Sequence, residues 1–273
     1  MSGVALRERL GLLDELRQIV TAMRNLAYAE VQRLSRIQSS SAKAEQAVTR
    51  ALADTLHAEP IVAPRLTRTV WLVIGAERGF CGGFNDQLAE ALPALMHQYP
   101  AARWLIAGAR LRQRVEHDVP EAVWLDGCTG VEDGPACVDA WLSQLAMPEP
   151  SESWRVPSLW LLHHAEPGLV QRRLLPLPDL PPPSAGPRPM RYVPSARLLP
   201  KLLAEMIRVA LLDALHRSLQ QENHWRLAQM QRAQDHLNEA GTRLRHRYFR
   251  ERQSDITSEL ETLMSSLQPA GGR

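Results

Sequence analysis

One uninterrupted helical pattern near the C-terminal end limits the folds available to this chain of 273 residues. From Ser195 to Leu267 the only proline is Pro200, in the first turn, where its missing N–H costs little. Globular helices average about 11–12 residues, so a helix of this length needs a partner along its length. Residues 3–57 also lack proline and repeat apolar residues at helical spacing. We therefore predict two long helices, from opposite ends of the chain, that pair.

Both predicted helices carry an apolar stripe. The N-terminal stripe comprises Leu6, Leu10, Leu13, Val20, Met23, Ala27, Leu34, Ile37, Ala44, Val48 and Ala51. The C-terminal helix has a tight seam of Leu198, Leu202, Met206, Val209, Leu212, Leu215 and Leu219. Beyond Glu222 polar residues dominate, and apolar residues return at Ile256, Leu260, Leu263 and Leu267. This pattern favours a coiled coil whose polar middle faces partners or water.

The residues between the two helices alternate between strand and helix patterns. The predicted strands are 69–75, 103–107, 122–125, 158–164 and 169–177, with helices near 85–99, 109–117 and 134–146. Apolar strands separated by helices are typical of a mainly parallel sheet covered on both faces. The last two strands lie close enough in sequence for an antiparallel hairpin. Residues 176–194 are rich in proline, and we interpret them as an extended linker rather than a ligand for an aromatic groove.

Composition excludes several classes of protein. The net charge of +2 gives no strong affinity for polyanions, and the basic residues are almost all arginine. Cys81, Cys128 and Cys137 lack metal-ligand spacing, which fits free thiols in a reducing compartment. No apolar run approaches the roughly 20 residues of a membrane span, and no secretory signal is recognisable. We expect a soluble, cytosol-facing protein.

Three segments resemble a known family. They are residues 19–24 (Ile-Val-Thr-Ala-Met-Arg), the glycine-rich residues 75–85, and residues 222–260, which include Arg252-Gln253 and Ile256-Thr257. Their order and spacing are similar to those of the gamma subunit of F-type ATP synthases, and the resemblance spans essentially the whole chain. The glycine-rich segment and the Arg-Gln segment are each fairly specific, and their joint occurrence strengthens the resemblance.

The resemblance implies an architecture and a role. The fold would be α/β, with a long antiparallel coiled coil of the terminal helices (1–58 and 195–273) and a central Rossmann-like domain (59–194). The subunit would be the rotor that couples ion flow to conformational change at the beta-subunit catalytic sites. It would have no catalytic residue, cofactor or metal of its own. Its partners would be the alpha and beta subunits, the epsilon subunit and the membrane c-ring. It would lie peripherally, on the cytoplasmic face of the inner (plasma) membrane, in contact with the membrane only through the c-ring.

The resemblance also assigns site residues. Arg252 and Gln253 would contact a loop of the beta ring, with Met23 and Thr257 as further partner-binding positions. An arginine fork suits carboxylates, and an amide both donates and accepts hydrogen bonds. A second group of residues forms the predicted turn after the first strand: Arg78, Gly79, Gly82 and Gly83.

The chain departs from the family pattern at several positions. Glu77 stands where Asp is usual, Phe80 where Leu is usual, and Phe249 where Asn is usual. Val20-Thr21 replaces the usual Thr-Lys, His236-Leu237 replaces Asn-Ala, and the frequent terminal Gly-Ala is missing. These differences indicate a divergent member. An alternative, second-operon version of the machine, some of which are thought to pump sodium ions, is one interpretation.

Several of the same residues also allow alternative interpretations. The glycine-rich turn could cradle a phosphate, but it lacks the P-loop and dinucleotide motifs, so we favour a tightly packed turn. We interpret Cys81 as a small packed residue rather than as a catalytic nucleophile. His163 and His164 are adjacent on a strand and should point to opposite faces, which disfavours a metal site. The arginines at 243–252 fit an acidic ring partner better than nucleic acid. A free-standing coiled-coil scaffold and a nucleotide-dependent enzyme built on the central sheet remain as alternative functions.

Overall fold

The computed structural model describes residues 3–58, 65–145, 155–177, 180–182 and 192–267. The helices are α1 (Gly3–Ala58), α2 (Phe84–Gln98), α3 (Ala109–Val115), α4 (Gly134–Leu145) and α5 (Ser195–Leu267), with a 3-10 turn at Val131–Asp133. The strands are β1 (Arg65–Ile74), β2 (Arg103–Ala107), β3 (Val123–Leu125), β4 (Arg155–Ala165) and β5 (Gly168–Arg173). Both long helices are confirmed. β1 and β4 are longer than predicted, and β5 ends at Arg173 rather than at Leu177.

Two compact units divide the chain. The helical unit contains residues 1–26 and 227–273, and the central unit contains residues 27–226. Because α1 and α5 run through residues 26–27 and 226–227 without a break, each long helix contributes to both units. The predicted proline-rich linker lies largely outside the described residues.

In the helical unit, α1 and α5 pair antiparallel. Arg7 donates to the hydroxyl of Tyr248 at 3.2 Å, and Arg24 donates to Oε1 of Gln234 at 2.6 Å. Residues later in α1 therefore contact residues earlier in α5, as an antiparallel pair requires. Leu6 is fully buried, and Met23 is half-buried on the same stripe. At Gly241 a Cβ atom would lie 2.9 Å from Arg17 Nη2, so the missing side chain leaves room for that guanidinium.

The central unit is built on a five-stranded sheet with the order β3-β2-β1-β4-β5. β1 is parallel to both β2 and β4, with Val70 opposite Arg103 on one side and Leu159 on the other. β5 is antiparallel to β4, so the predicted hairpin and the mainly parallel sheet are both confirmed. The middle strands are continuous apolar runs because both faces of the sheet are covered.

Side chains alternate between the two covered faces. One face packs Leu72, Ile74 and Leu161 against α1, α4 and α5 in the larger apolar core. The other packs Trp71, Val73 and Leu162 against α2 and α3. On this second face Trp71 stacks between Trp104 and Trp160, with ring centroids 5.6 and 5.2 Å away. The long helices therefore belong to the same core as the sheet that they flank.

The buried arc of α5 in the central unit differs from the predicted seam. Met206, Leu215 and Leu219 are buried as expected, but the other four seam residues (Leu198, Leu202, Val209 and Leu212) are only half-buried. Four residues outside the predicted seam, Leu199, Leu203, Ile207 and Leu211, are fully packed as well. The helix packs on the sheet as well as on α1, so the arc is wider and centred elsewhere. On α1 the same effect buries Leu52 and Ala53 and leaves the predicted Ala44 and Ala51 exposed.

Candidate functional site

The glycine-rich turn between β1 and α2 combines a buried base with an exposed tip. Arg78 and Phe80 are exposed, and Phe80 is 63 % accessible, whereas Cys81 and Phe84 are buried. Phe80 has φ +63° and Gly82 has φ +56°, a left-handed conformation that glycine adopts freely and an aromatic residue adopts at a cost. Gly83 caps α2 without a side-chain hydrogen bond. A Cβ atom added at Gly79 would lie at van der Waals distance from Arg110, and one added at Gly83 would lie at such a distance from Trp225.

A buried ionic network on α5 anchors this turn. Arg226 donates from Nε to the carbonyl of Gly79 at 3.2 Å, from Nη1 to Asn223, and from Nη2 to Glu222. The side chains of Arg226 and Glu222 are only 9 % and 5 % exposed. Burial raises the pKa of Glu222, and the Arg226 guanidinium opposes that shift. The turn is therefore fixed through one guanidinium whose charge must be balanced inside the protein.

Glu77 closes the edge of the sheet where the parallel strands end. Its Oε2 accepts from the backbone N–H of Ala109 at 2.8 Å and from that of Gly127 at 2.9 Å. In open α/β sheets this edge is the usual place for a ligand. Here the amides after β2 and β3 already have a carboxylate from the protein itself. This favours the packed turn over the phosphate cradle.

The other residues considered as nucleophiles or metal ligands, Cys81, His163 and His164, are also buried in the packed protein. Burial raises the pKa of the Cys81 thiol to about 11, which leaves little thiolate at neutral pH. His164 hydrogen-bonds the carbonyl of Phe84 at 2.9 Å, while His163 is on the other face, near Asp213. The two imidazoles therefore point apart, as predicted. Within the described residues no group of three His, Cys, Asp or Glu side chains is placed to hold a metal.

The predicted partner-binding residues occupy two separate stations in the helical unit. Met23 lies at the level of Gln234, beside Arg24. Arg252, Gln253 and Thr257 are exposed on α5, beyond the level where Arg7 meets Tyr248. The stations are separated by roughly 27 Å at 1.5 Å per residue of helix. The Thr257 hydroxyl donates to the carbonyl of Gln253 at 2.9 Å, so that proton is already used within the helix.

A family model described as ATP synthase matches residues 2–268 of this chain. The chain belongs to the gamma-subunit family of F-type ATP synthases. The resemblance drawn from the three segments is thereby confirmed.

Solved structures agree on the fold of this gamma-family chain. A rotor structure of the Euglena gracilis mitochondrial ATP synthase matches with a TM-score of 0.57 at 13% identity, over 93% of this chain and 98% of that one. A second Euglena gracilis structure, of OSCP/F1/c-ring, gives 0.62 at 13%, over 99% and 97%. A Tetrahymena thermophila central stalk/c-ring structure gives 0.54 at 15%, over 79% and 99%. No curated protein matches by sequence. The predicted fold class is confirmed.

The residues that fix the turn in this gamma-family chain escaped the sequence-based site assignment. Glu222, Asn223 and Arg226 have the three- and four-residue spacing of contacting positions on a helix, which is the available signal. Glu77 offers no comparable signal, because its two amide partners follow β2 and β3, far along the chain.

Replacing Glu77 by alanine should lower the free energy of unfolding by about 1–3 kcal/mol, because two backbone amides lose their acceptor. Urea unfolding of the purified chain followed by circular dichroism measures this. Glu90→Ala is the matched control, since Glu90 is an exposed residue of α2. Equal stability of the two variants would mean that the Glu77 contacts contribute nothing.

Proposed function

We propose that this chain is the central-stalk rotor subunit of an F-type ATP synthase. In this role it couples ion translocation through the c-ring to conformational change at the beta-subunit catalytic sites. The observation that carries the proposal is the family match over residues 2–268. The antiparallel pairing of α1 with α5 supports it, because a rotor must transmit torque along its length.

The helical unit has a surface suited to a surrounding protein ring. Several large apolar side chains are about half or more exposed there: Leu12, Leu16, Ile19, Leu26, Phe249, Ile256, Leu260, Leu263 and Met264. Monomeric proteins rarely leave so much apolar surface in contact with water. Alpha and beta subunits around this unit would cover it, and the epsilon subunit and c-ring are the proposed partners of the central unit.

None of the described helices combines the length and hydropathy needed to cross a membrane. Peripheral attachment through the c-ring, at the cytoplasmic face, is accordingly part of the proposal.

Arg252 and Gln253 are the proposed contacts with the beta ring. Among the described contacts their side chains have no hydrogen bond or ion pair, so the donors of the guanidinium and the amide are available to a partner. A single such contact contributes about 0.5–3 kcal/mol net, which holds a rotary position without locking it. The Thr257 hydroxyl can offer a partner only an acceptor while it donates its proton to the carbonyl of Gln253. Met23 serves a second position further along the pair.

The contact is tested by Arg252→Ala combined with Gln253→Ala in the assembled complex. We expect ATPase turnover to fall about tenfold, the effect of roughly 1.4 kcal/mol. Arg250→Ala combined with Ser254→Ala is the matched control, since both residues are exposed on the same turns of α5. Assembly, measured by co-purification with the beta subunit, should be unchanged in both. Turnover at the unmodified rate in the first variant would remove Arg252 and Gln253 from the proposed site.

As a rotor subunit, the chain is proposed to catalyse no reaction and to bind no nucleotide. Calorimetric titration of the purified chain with ATP should give no binding in the micromolar range. The physical reason is that Glu77 occupies the sheet edge and that the turn lacks a phosphate-binding lysine motif. Micromolar affinity would instead favour the nucleotide-dependent enzyme. Failure to co-purify with alpha and beta subunits would favour the free-standing scaffold.

A further inference from the structure

The first half of β1 extends beyond the strand on one of its sides. Pairing between β1 and β2 begins only at Val70 and Arg103. Residues 65–69 of β1 therefore precede β2, and residues 65–68 are exposed. The backbone of this segment pairs with β4 on the other side. Among the described residues no backbone group bonds the side that faces away from β4, so this edge is open to a further strand.

The chain turns away at the point where it could have covered this edge. α2 ends at Gln98, and a turn closed by a bond from the N–H of Ala102 to the carbonyl of Tyr99 at 3.0 Å leads into β2. This turn and Arg68 of β1 line one cavity of about 440 Å³. Ligand sites typically have volumes of about 300–1,000 Å³. The open strand edge and a cavity of suitable size are therefore adjacent.

Positive charge predominates at this edge. Arg65 and Arg68 are exposed, and neither has an ion pair among the described residues. Arg103 also lines the cavity and donates to the carbonyl of Gln144 at 3.2 Å. Of the described residues that line the cavity, only Glu121 carries a negative charge. Three arginines beside one glutamate favour an anionic occupant and repel a second copy of the same edge.

The cavity also has an apolar wall. Trp104 and Val119 line it and are 6 % and 2 % exposed. The pairing of β1 with β4 shifts register between Leu66 and Thr69, which marks a bulge. Bulges redirect side chains, and Arg68 within this bulge lines the cavity. The site therefore combines backbone donors and acceptors, guanidinium groups and an apolar surface.

We propose that residues 65–69 and the adjoining cavity bind an acidic peptide segment, which joins the sheet as an extended strand in line with β2. The peptide backbone pairs with the open edge of β1 and supplies affinity, as in other cases of strand addition. Its carboxylates meet Arg65, Arg68 and Arg103, and one apolar side chain enters the cavity beside Trp104. This site goes beyond the rotor proposal and does not rest on it, because the purified chain alone should bind.

The test measures the binding of fluorescently labelled peptides to the purified full chain by fluorescence anisotropy at low salt. The probe is the capped heptapeptide Glu-Thr-Glu-Leu-Glu-Thr-Glu, in which threonine favours a strand and leucine is the apolar anchor. We expect saturable binding that weakens as salt is added. A peptide with lysine in place of each glutamate should not bind. The acidic peptide with methylated backbone nitrogens keeps its charge but cannot donate to the strand edge, so it should bind much more weakly.

Arg68→Glu should weaken the binding of the acidic peptide about fivefold, through the loss of one exposed charge pair and the repulsion that replaces it. Arg36→Glu is the matched control, since Arg36 is an exposed arginine of α1 that does not line the cavity. Circular dichroism establishes that both variants fold. In the unmodified chain, amide exchange at residues 65–69 should slow when the peptide binds.

Several results would overturn the proposal. They are the absence of saturable binding at low salt, equally tight binding of the lysine peptide or the methylated peptide, equal weakening by the two arginine variants, and unchanged amide exchange at residues 65–69 in the bound chain. Tighter binding of phenylacetate than of the peptide would also overturn it, because the cavity would then be a site for a small aromatic acid. None of these results bears on the rotor role, which is tested by co-purification with the beta subunit.

Discussion

Replacing Leu211 by alanine should lower the free energy of unfolding by about 2–5 kcal/mol, as expected for a leucine deleted from a closely packed core. Leu211 is fully buried, in the core that joins α5 to the sheet and α1. This core draws side chains from the sheet, α1 and α4 as well as from α5, so we expect the vacated volume to be filled only in part. Since small domains are stable by only about 5–15 kcal/mol, this one change removes a large share of the total.

Leu212→Ala is the matched control for this prediction. Leu212 is the next residue of α5 and belongs to the predicted seam, but it is only half-buried at the edge of the same core. We expect its truncation to cost about 0.5–2 kcal/mol, within the usual range for a partly exposed position. Urea unfolding of both variants measures the difference. Equal losses, or a larger loss for Leu212, would mean that the buried arc of α5 is not the one described.

The contrast between Leu211 and Leu212 shows how far a periodic pattern can go. Helical spacing predicts that α5 is a helix and that one stripe is apolar, because both depend on neighbouring residues. It assumes a single partner. In the central unit α5 meets the sheet as well as α1, and the buried arc widens and moves onto Leu199, Leu203 and Ile207. Which stripe is buried depends on contacts between distant parts of the chain.

Some parts of the candidate site could likewise be predicted from the local sequence, and others could not. The strand, turn and helix around Gly79 and Gly83 could be predicted locally, since glycines between an apolar run and a helical pattern indicate a tight turn. The Arg252-Gln253 station depended on the family resemblance, because an exposed polar pair on a helix carries no sign of its partner. The network of Arg226 was missed since its acceptors include the carbonyl of Gly79, far away in sequence.

Arg226→Ala should be among the most destabilising polar substitutions in the chain, at about 3–5 kcal/mol near neutral pH. It leaves the Glu222 carboxylate buried without its cation, and it deprives the carbonyl of Gly79 of a donor. The turn that holds Phe80 in its left-handed conformation would lose its anchor as well. Chemical unfolding of the purified chain measures the loss.

The loss should also depend on pH, with a sign set by Glu222. Burial raises the pKa of this carboxyl above its ordinary value of 4.5, and removing Arg226 removes an interaction that lowers it. The folded variant therefore holds its proton more tightly than the unfolded chain does. Stability is then greatest at acid pH and falls as the pH rises from about 4.5 through the folded-state pKa.

A double substitution separates the buried charge from the loss of packing. Glu222→Gln combined with Arg226→Met removes both charges and keeps similar side-chain volumes, so it should recover most of the stability lost in Arg226→Ala. Its unfolding free energy should show little of the pH dependence of the single variant, because the carboxyl is gone. If the double variant is as unstable as Arg226→Ala at pH 5 and at pH 8 alike, the uncompensated charge is not the cause. The hydrogen bond to Gly79 would then be the principal contribution of Arg226, and the anchoring of the turn would rest on it.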